Sequence, residues 1–522
     1  MADSSVIKLS LTEWTHDQRL AIARISAQVL THSSLVLGEQ WSCEWWQEII
    51  SYLQVTQSQL EQHVLAFNKA LELLKGEKRD IRVEVMIDLL ALALHITSNK
   101  TKQKKVDKRL VMLYDARARA FLIELEHALE LYPGDLSSVE KSIAQQMYYH
   151  LLEQQQQQQQ SNNVQQSMDN EAQKAIEATN RRQQAFRWIA TGAGVIGGGA
   201  VIALTGGLAA PLLAPLLAGV TGAAFFATAG GVALMTSLLG LTGGGLAGWK
   251  MHRRMKGIEQ LGFKQILQDP DLPPVPALHC SICISGFLLD SETEAISPWE
   301  LAFEGKRNNT DLFCLEYETE TLLKLGYSFK RFIKDTAINY AGMEVAKATI
   351  LHSFFAAVAL PATILKIADV IDNPWQMAVD RSKKAGAVLA DVLQQRVQGN
   401  RPCNLIGYSC GCLVIWNCLQ ELYERGCHGL IDNVVMMGAP ISTDESWEWQ
   451  NALSVVSGRF INCYTSNDWV LAFVYRLHSL ATNVAGLEAV PHSRIENIQV
   501  NLDGHTKYPY VIKDIMTQLR IE

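Results

Sequence analysis

The sequence predicts an α/β fold in which a doubly wound parallel sheet follows an all-helical N-terminal domain and a glycine-rich membrane segment. Three observations lead to this prediction. Short apolar segments alternate with helical patterns over residues 275–522. Apolar residues recur every three or four positions over residues 1–150. Between these regions lies a long apolar block without a single charged side chain.

The N-terminal region, residues 1–150, is predicted to be all-helical because its apolar positions have helical spacing and glycine and proline are scarce. No catalytic motif is visible in it. Three tryptophans, Trp41, Trp45 and Trp46, are interpreted as core residues rather than as a binding site. The domain is a candidate surface for protein partners.

The segment 151–186 is predicted to be a linker or a coiled coil. It contains the glutamine run Gln154 to Gln160 and a polar stretch that can bury almost nothing.

The segment 187–250 is predicted to associate with a membrane. From Trp188 to Trp249 it has 62 residues without charge, which is long enough for two or three crossings. Basic residues flank both ends, which favours globular domains that face the cytoplasm and an even number of crossings or a re-entrant hairpin. A buried hairpin of a soluble protein is the alternative, because the block is rich in glycine.

Composition narrows the classes of partner, site and compartment that the chain could have. A net charge of -7 gives no reason to expect nucleic acid. Ten cysteines in so long a chain do not form a disulfide framework. Cys280 and Cys283 form one C-x-x-C motif without a second pair, so we interpret them as buried strand residues and predict no metal site. The first ten residues lack the pattern of a secretory signal.

Predicted strands in the C-terminal half surround one long helical section, Ala341 to Val397. This section contains a candidate lid around Pro361, a break at Asn373 to Trp375, and apolar helices from Phe354 to Ile367 that are suited to a lid or an acyl pocket. The predicted strands are His279–Ser285, Leu312–Glu316, Asn404–Ile406, Asn433–Met437, Phe460–Tyr464 and an extended segment Ile498–Leu502.

A G-x-S-x-G motif lies between the predicted strand at Asn404–Ile406 and a helical segment. Gly407 and Gly411 are small enough for strand and helix to approach closely around Ser409 at a sharp turn. The amides at the start of the helix favour negative charge that develops on an attacked carbonyl. Ser409 is therefore the predicted nucleophile.

A nucleophilic serine needs a base and an acid that orients this base. On such a sheet they follow the serine in the order acid, then histidine. Asp468 and His505 follow the last two predicted strands in that order, so we predict an acid and a base. The alternatives are Asp444 as the acid, and His478 or His492 as the base.

The predicted oxyanion hole consists of backbone amides. One belongs to Cys410, directly after the serine, and the other to Phe287 or Leu288, in the turn that Gly286 begins. No metal or organic cofactor is required for this chemistry.

Five motifs in the C-terminal half, ISGFL, GYSCG, MMGAP, SND and DGHTKY, resemble the transmembrane and coiled-coil domain-containing protein 4 family. The resemblance implies an α/β-hydrolase-like domain behind a glycine-rich membrane segment, with Ser409, Asp468 and His505 in triad positions. The sequence departs from the family pattern in one respect. Cys410 directly follows the serine, where a larger apolar residue is expected, and Cys412 comes two residues later.

These observations predict a membrane-associated serine hydrolase, similar to a lipase or an esterase, that cleaves an ester, plausibly of a lipid. Two alternatives remain. The chain could be a membrane-anchored scaffold with a hydrolase-like fold and a helical domain that recruits partners. Its glycine-rich block could also perturb membranes while the rest of the chain regulates it.

Overall fold

A computed structural model describes residues 7–62, 65–76, 80–94, 114–149, 258–266, 276–304, 310–339, 343–360, 362–365, 368–399, 401–478 and 483–521. The glutamine-rich segment 151–186 and the apolar block 187–250 lie outside these residues, so their predictions are not tested by the structure.

The described residues divide into two compact units, and residues 115–120 group with the second unit although the stretches on both sides of them belong to the first. The first unit is helical, which confirms the prediction for the N-terminal region. Its helices, with α6 shared between the units, are α1 (His16–Leu37), α2 (Glu39–Leu53), α3 (Gln57–Gln62), α4 (Phe67–Lys75), α5 (Arg82–Ala93), α6 (Ala116–Ala128) and α7 (135–149).

The core of the first unit forms around α1 and α2. Thr15 and Gln18 form a reciprocal capping box at the start of α1. Trp41 and Trp45 are buried and stack with ring centroids 5.9 Å apart, as expected for core residues, whereas Trp46 is half-buried. Among the described helices, α1 alone is long and apolar enough to cross a membrane, and half of its most apolar stretch is buried in the protein.

The second unit contains a seven-stranded sheet. Its strands are β1 (Leu261–Ile266), β2 (Cys280–Ile284), β3 (Asp311–Tyr317), β4 (Cys403–Tyr408), β5 (Ile431–Met437), β6 (Phe460–Tyr464) and β7 (Ile495–Gln499), in the spatial order β1-β3-β2-β4-β5-β6-β7. Strands β2 to β7 pair in parallel, and β4 lies at the centre. The α/β class is thus confirmed.

Helices connect these strands and pack beside the sheet. They are α8 (Ser297–Phe303), α9 (Thr319–Asn339), α10 (Met343–Phe355), α11 (Ala362–Leu365), α12 (Asp372–Gln394), α13 (Cys410–Glu424), α14 (Ser446–Ser454), α15 (Trp469–His478) and α16 (Tyr508–Leu519). The strands β4 and β5 are buried along their whole lengths, which is typical of a parallel sheet covered on both faces.

Two predictions about the sheet were wrong. The sheet is mixed, because β1 pairs antiparallel with β3 at the edge. This strand precedes the predicted boundary at residue 275, and Lys264 and Gln265 interrupt its apolar residues, so its apolar run is too short to be recognised. The last strand is Ile495–Gln499 rather than Ile498–Leu502, since the residues after Gln499 already belong to the loop before His505.

The long helical section between β3 and β4 also differs from its prediction. It consists of separate helices, and the expected break at Asn373 to Trp375 lies inside the first turn of α12. Proline is tolerated there because the first amides of a helix have no partner within it. Pro361, the centre of the candidate lid, lies outside the described residues.

The first unit contains a buried carboxylate that makes its stability depend on pH. Asp88 accepts hydrogen bonds from the Ser10 amide at 3.0 and 3.1 Å and from the Tyr52 hydroxyl at 2.7 Å. Burial nevertheless raises the pKa of Asp88 to about 6. Between its ordinary pKa near 4 and this raised pKa, the folded state keeps a proton that the unfolded state has lost, so rising pH lowers the free energy of unfolding.

We therefore expect Asp88→Asn to gain stability relative to the wild type by about 2–3 kcal/mol as the pH rises from 4 to 7. Thermal unfolding of both proteins across this range measures the difference. Glu61→Gln, which removes an exposed carboxylate, is the control for the loss of charge. A difference that does not change with pH would contradict the prediction.

Candidate active site

The candidate site lies where four parallel strands end. The carboxyl ends of β2, β4, β6 and β7 lead into the loops that carry Gly286, Ser409, Asp468 and His505. In an open parallel sheet this edge is where ligands bind, because loops from neighbouring strands converge there.

Ser409 occupies a strained turn between β4 and α13. Its backbone has φ 54° and ψ -125°, a conformation that residues other than glycine rarely adopt. Its amide donates to the carbonyl of Met437 at the end of β5, at 2.9 Å. The turn is therefore held by the neighbouring strand as well as by its own chain.

Glycines allow the backbones to meet at this turn. A Cβ atom on Gly407 would lie 3.1 Å from the carbonyl carbon of Gly411. A Cβ atom on Gly411 would overlap the carbonyl of Ile284 in β2, and one on Gly286 would overlap the Tyr408 carbonyl and the Cys410 amide. The loop after β2 thus passes directly over the turn, with no room for a side chain between them.

The structure brings the three predicted residues into one chain of hydrogen bonds. Nε2 of His505 is 2.5 Å from Oγ of Ser409, and Nδ1 of His505 is 2.6 Å from Oδ2 of Asp468. The second carboxylate oxygen of Asp468 accepts the Leu471 amide at 3.0 Å. All three residues have no exposed surface.

The partners of His505 define its tautomer. An ionised carboxylate only accepts hydrogen bonds, so Nδ1 of His505 carries the proton that Asp468 accepts. Nε2 is then left as an acceptor for the hydroxyl of Ser409. This arrangement can remove a proton from the serine.

The loops that carry Asp468 and His505 are bonded to each other. The Val500 amide donates to the Tyr464 carbonyl at 2.8 Å, and the Thr465 hydroxyl donates to the Leu502 carbonyl at 3.4 Å. The loops after β6 and β7 therefore form one support, which fixes the distance between the carboxylate and the imidazole.

Aromatic side chains surround His505. The rings of Phe287, Phe329 and Tyr508 have centroids 5.6, 5.5 and 5.8 Å from the imidazole. Such walls exclude water and strengthen the electrostatic interactions within the site. Phe329 lies in α9 and was not predicted, since a phenylalanine in an amphipathic helix carries no signal beyond that of a core residue.

The alternative acid and the two alternative bases contact residues other than Ser409, Asp468 and His505. Asp444 accepts a hydrogen bond from Asn483 at 2.6 Å. His478, in α15, lies 3.2 Å from Asp372, and His492 lies 3.2 Å from Gln450. Among the candidates that we considered, only Asp468 and His505 are hydrogen-bonded to each other, and only His505 is also hydrogen-bonded to Ser409.

The candidate oxyanion donors differ in their availability. The Leu288 amide donates to the Leu322 carbonyl at 3.1 Å, so it is already used within the protein. The Phe287 carbonyl accepts the Tyr408 hydroxyl at 3.1 Å, which fixes the peptide between Phe287 and Leu288, whereas the Phe287 amide belongs to the preceding peptide, next to Gly286. Cys410 begins α13, where the first amides of a helix have no partner within it. The amides of Cys410 and Phe287 are therefore the better pair of candidate oxyanion donors.

The two cysteines that follow Ser409, Cys410 and Cys412, are not competing nucleophiles. Burial raises the pKa of Cys410 to about 12 and the pKa of Cys412 well above its ordinary value. Both thiols therefore stay protonated at neutral pH, and the thiolate is the reactive form. Among the described residues, no cluster of histidine, cysteine and carboxylate side chains could hold a metal ion.

Comparison with known proteins assigns the chain to a family. Residues 182–522 match the model of a family described as a protein of unknown function, DUF726. The chain belongs to this family. No solved structure matches it.

Three relatives illustrate the family. A rice (Oryza sativa subsp. japonica) transmembrane and coiled-coil domain-containing protein, STS1, is 36% identical over 63% of this chain and 52% of its own length. An uncharacterized membrane protein of Caenorhabditis elegans is 31% identical over 78% of this chain and 64% of its own. The probable lipase MIL1 of Saccharomyces cerevisiae is 29% identical over 58% and 28%. The chain thus spans less than two thirds of each of these relatives.

The predicted resemblance to transmembrane and coiled-coil domain-containing proteins is confirmed at the level of the family. The number 4 in the predicted name stays a prediction.

Gly286→Ala tests the close approach of the loop after β2 to the elbow. We expect this variant to lose at least as much stability as a typical core substitution, about 2–4 kcal/mol, because the added methyl group overlaps two backbone groups. Urea unfolding measures the loss. Gly426→Ala is a control with no neighbour near the added atom, and its left-handed backbone should cost about 1–2 kcal/mol. Equal losses in the two variants would contradict the prediction.

Proposed function

We propose that this protein is a serine hydrolase that cleaves a carboxylic ester, with Ser409 as the nucleophile, His505 as the base and Asp468 as the residue that orients His505. The observation that carries the proposal is the continuous hydrogen-bond chain from Ser409 through His505 to Asp468 on a strained turn. In this proposal the second unit is an α/β-hydrolase-like domain over residues 275–522, extended by β1 at its start.

The proposed reaction has two halves. Oγ of Ser409 attacks the ester carbonyl carbon while Nε2 of His505 takes the hydroxyl proton. His505 then gives this proton to the leaving alcohol, the ester C–O bond breaks, and an acyl-serine forms. Water attacks the acyl-serine, gives its proton to His505, and the carboxylic acid leaves as Ser409 regains a proton. No metal or organic cofactor takes part.

The amides of Cys410 and Phe287 are proposed to stabilise the negative oxygen that forms in each half. Cys410 directly follows Ser409, and the close approach of Gly286 to the Cys410 amide brings the peptide between Gly286 and Phe287 next to the elbow. Two donors at fixed positions can lower the barrier by several kcal/mol, because one such donor is worth about 3–4 kcal/mol in other hydrolases.

A lipid ester is the proposed substrate class. The yeast relative is named a probable lipase, and two other relatives carry names of membrane or transmembrane proteins. The uncharged block from Trp188 to Trp249 would hold the site near a bilayer, with the globular units on the cytoplasmic side. The apolar residues from Phe354 to Ile367, of which Pro361 and Ile367 lie outside the described residues, remain the proposed lid or acyl pocket.

The complete burial of Ser409 and His505 favours a second candidate, a membrane-anchored scaffold that keeps the fold without turnover. A substrate can reach Ser409 only if part of the cover moves. The helical N-terminal unit would then recruit protein partners. Reactivity of Ser409 distinguishes the two functions.

Labelling of the detergent-solubilised protein with a fluorophosphonate probe tests the hydrolase directly. We expect the wild type to label, because His505 activates the serine, and Ser409→Ala and His505→Ala to lose the label entirely. His478→Ala, a histidine paired with Asp372 elsewhere, is the matched control and should label like the wild type. A folded wild type that does not label would favour the scaffold.

Asp468→Asn tests the role of the carboxylate. The amide can donate to Nδ1 of His505 and so favours the wrong tautomer, which leaves Nε2 protonated and unable to accept from Ser409. We expect hydrolysis of a short-chain ester to fall by about 10⁴-fold with little change in unfolding. Asp444→Asn should keep activity close to that of the wild type. A small loss in Asp468→Asn would remove this residue from the proposed triad.

A further inference from the structure

The second unit presents an exposed apolar tip at the end of α10. Five consecutive residues, Phe355 to Ala359, have the sequence FAAVA and are all exposed. The side chains of Phe355 and Val358 are 45% and 46% exposed. Scattered exposed apolar residues are ordinary, but a contiguous apolar run at the tip of a turn is a feature of interaction surfaces.

Four backbone groups of the tip are hydrogen-bonded within the protein. The amides of Ala356, Ala357 and Val358 donate to carbonyls in the last turn of α10 at 2.9, 3.1 and 3.1 Å. The Val358 carbonyl accepts two hydrogen bonds from the Arg476 guanidinium, at 3.0 and 3.1 Å. A segment that enters a hydrocarbon phase must satisfy its polar backbone groups internally, and these four groups meet that condition.

The tip is tied to the elements that carry the candidate site. Arg476 lies in α15, the helix that begins directly after Asp468, and α10 packs against this helix. At the other end of α10, Nζ of Lys347 lies 2.8 and 2.9 Å from the carboxylate of Asp503, two residues before His505. The tip is thus a firmly held part of the domain beside the site.

We propose that Phe355 to Ala359 is a bilayer-contacting tip that inserts its apolar side chains among lipid acyl chains. The five residues carry no charge, so nothing in the tip would recognise a charged protein surface or nucleic acid. Its internally bonded backbone favours an apolar phase over a protein partner, which would need polar contacts as well.

The chain length outside the described residues supports a lipid surface as the occupant. The uncharged block ends at Trp249, and β1 of the same unit begins at Leu261. The twelve residue-to-residue steps from Trp249 to Leu261 span at most about 40 Å when fully extended, so a domain whose block is held in a bilayer stays within reach of that bilayer. This step rests on the membrane association proposed above.

An environment-sensitive fluorophore at position 358 tests the tip in the full-length protein. Val358→Cys is labelled after the accessible Cys43 and Cys427 are replaced by serine. The protein is reconstituted in phosphatidylcholine vesicles, with nitroxide-labelled lipid as one quencher and aqueous iodide as the other. We expect lipid quenching several-fold stronger than at Leu301→Cys, a control position that is exposed in α8.

Other outcomes overturn the tip. Equal quenching of the two labels, by lipid or by iodide, would show that the tip has no special contact with the bilayer. Protection of position 358 from both quenchers would indicate a protein partner at the tip instead of lipid. None of these readouts depends on catalysis.

A second arm uses turnover and rests on the proposed hydrolase. The double variant Phe355→Asp, Val358→Asp should hydrolyse an ester carried in vesicles about tenfold more slowly than the wild type, because two apolar side chains no longer insert. Its rate on vesicles, divided by its rate on a soluble short-chain ester, should fall by about the same factor below the wild-type ratio, whereas Leu301→Asp should keep the wild-type ratio. Equal rates on vesicles would overturn the tip, whereas a wild type without any turnover would count against the hydrolase alone.

Discussion

The candidate site depends on a contact between backbones. At the end of β2, the peptide groups of Ile284 and Gly286 lie against those of Gly411 and Cys410 without an intervening side chain. Hydrogen bonding from the Ser409 amide to Met437 adds β5 to this contact. Three adjacent strands therefore hold Ser409 in a conformation that its own backbone disfavours, and the packing of the sheet offsets the local strain.

The other half of the site is held in a different way. Asp468 and His505 lie on loops that are joined by hydrogen bonds between the segments after β6 and β7, and Lys347 adds an ion pair to the same region. Polar links are more easily broken and remade than the backbone contact at the elbow. The serine is thus the rigid partner in this site, while the histidine side is the part on which the helices between β3 and β4 can act.

The residues with strong local patterns could be predicted from the sequence. The elbow glycines have their spacing because backbones touch there, and the acid and the histidine follow strand ends in order. Phe329 and Lys347 could not be predicted, because contacts between α9 or α10 and the loop of His505 depend on how the helices pack. The antiparallel β1 was missed because Lys264 and Gln265 interrupt its apolar residues, which leaves an apolar run too short to indicate a strand. The catalytic roles of the three gathered residues stay predictions.

The spatial order of the strands separates the scaffold from the cover. The chain leaves β3, passes through α9 to α12, and returns past β2 to begin β4. This connection joins β3 and β4, which pair with opposite edges of β2. The sheet therefore requires only that the connection is long enough to pass β2. Because the entropy of closing a loop grows slowly with its length, residues can be added to or removed from this connection at small cost to the sheet. The apolar tip and α9, whose Phe329 lies against His505, both belong to this connection, so exchanging it between relatives would change the surroundings of the candidate site while the strands stay the same.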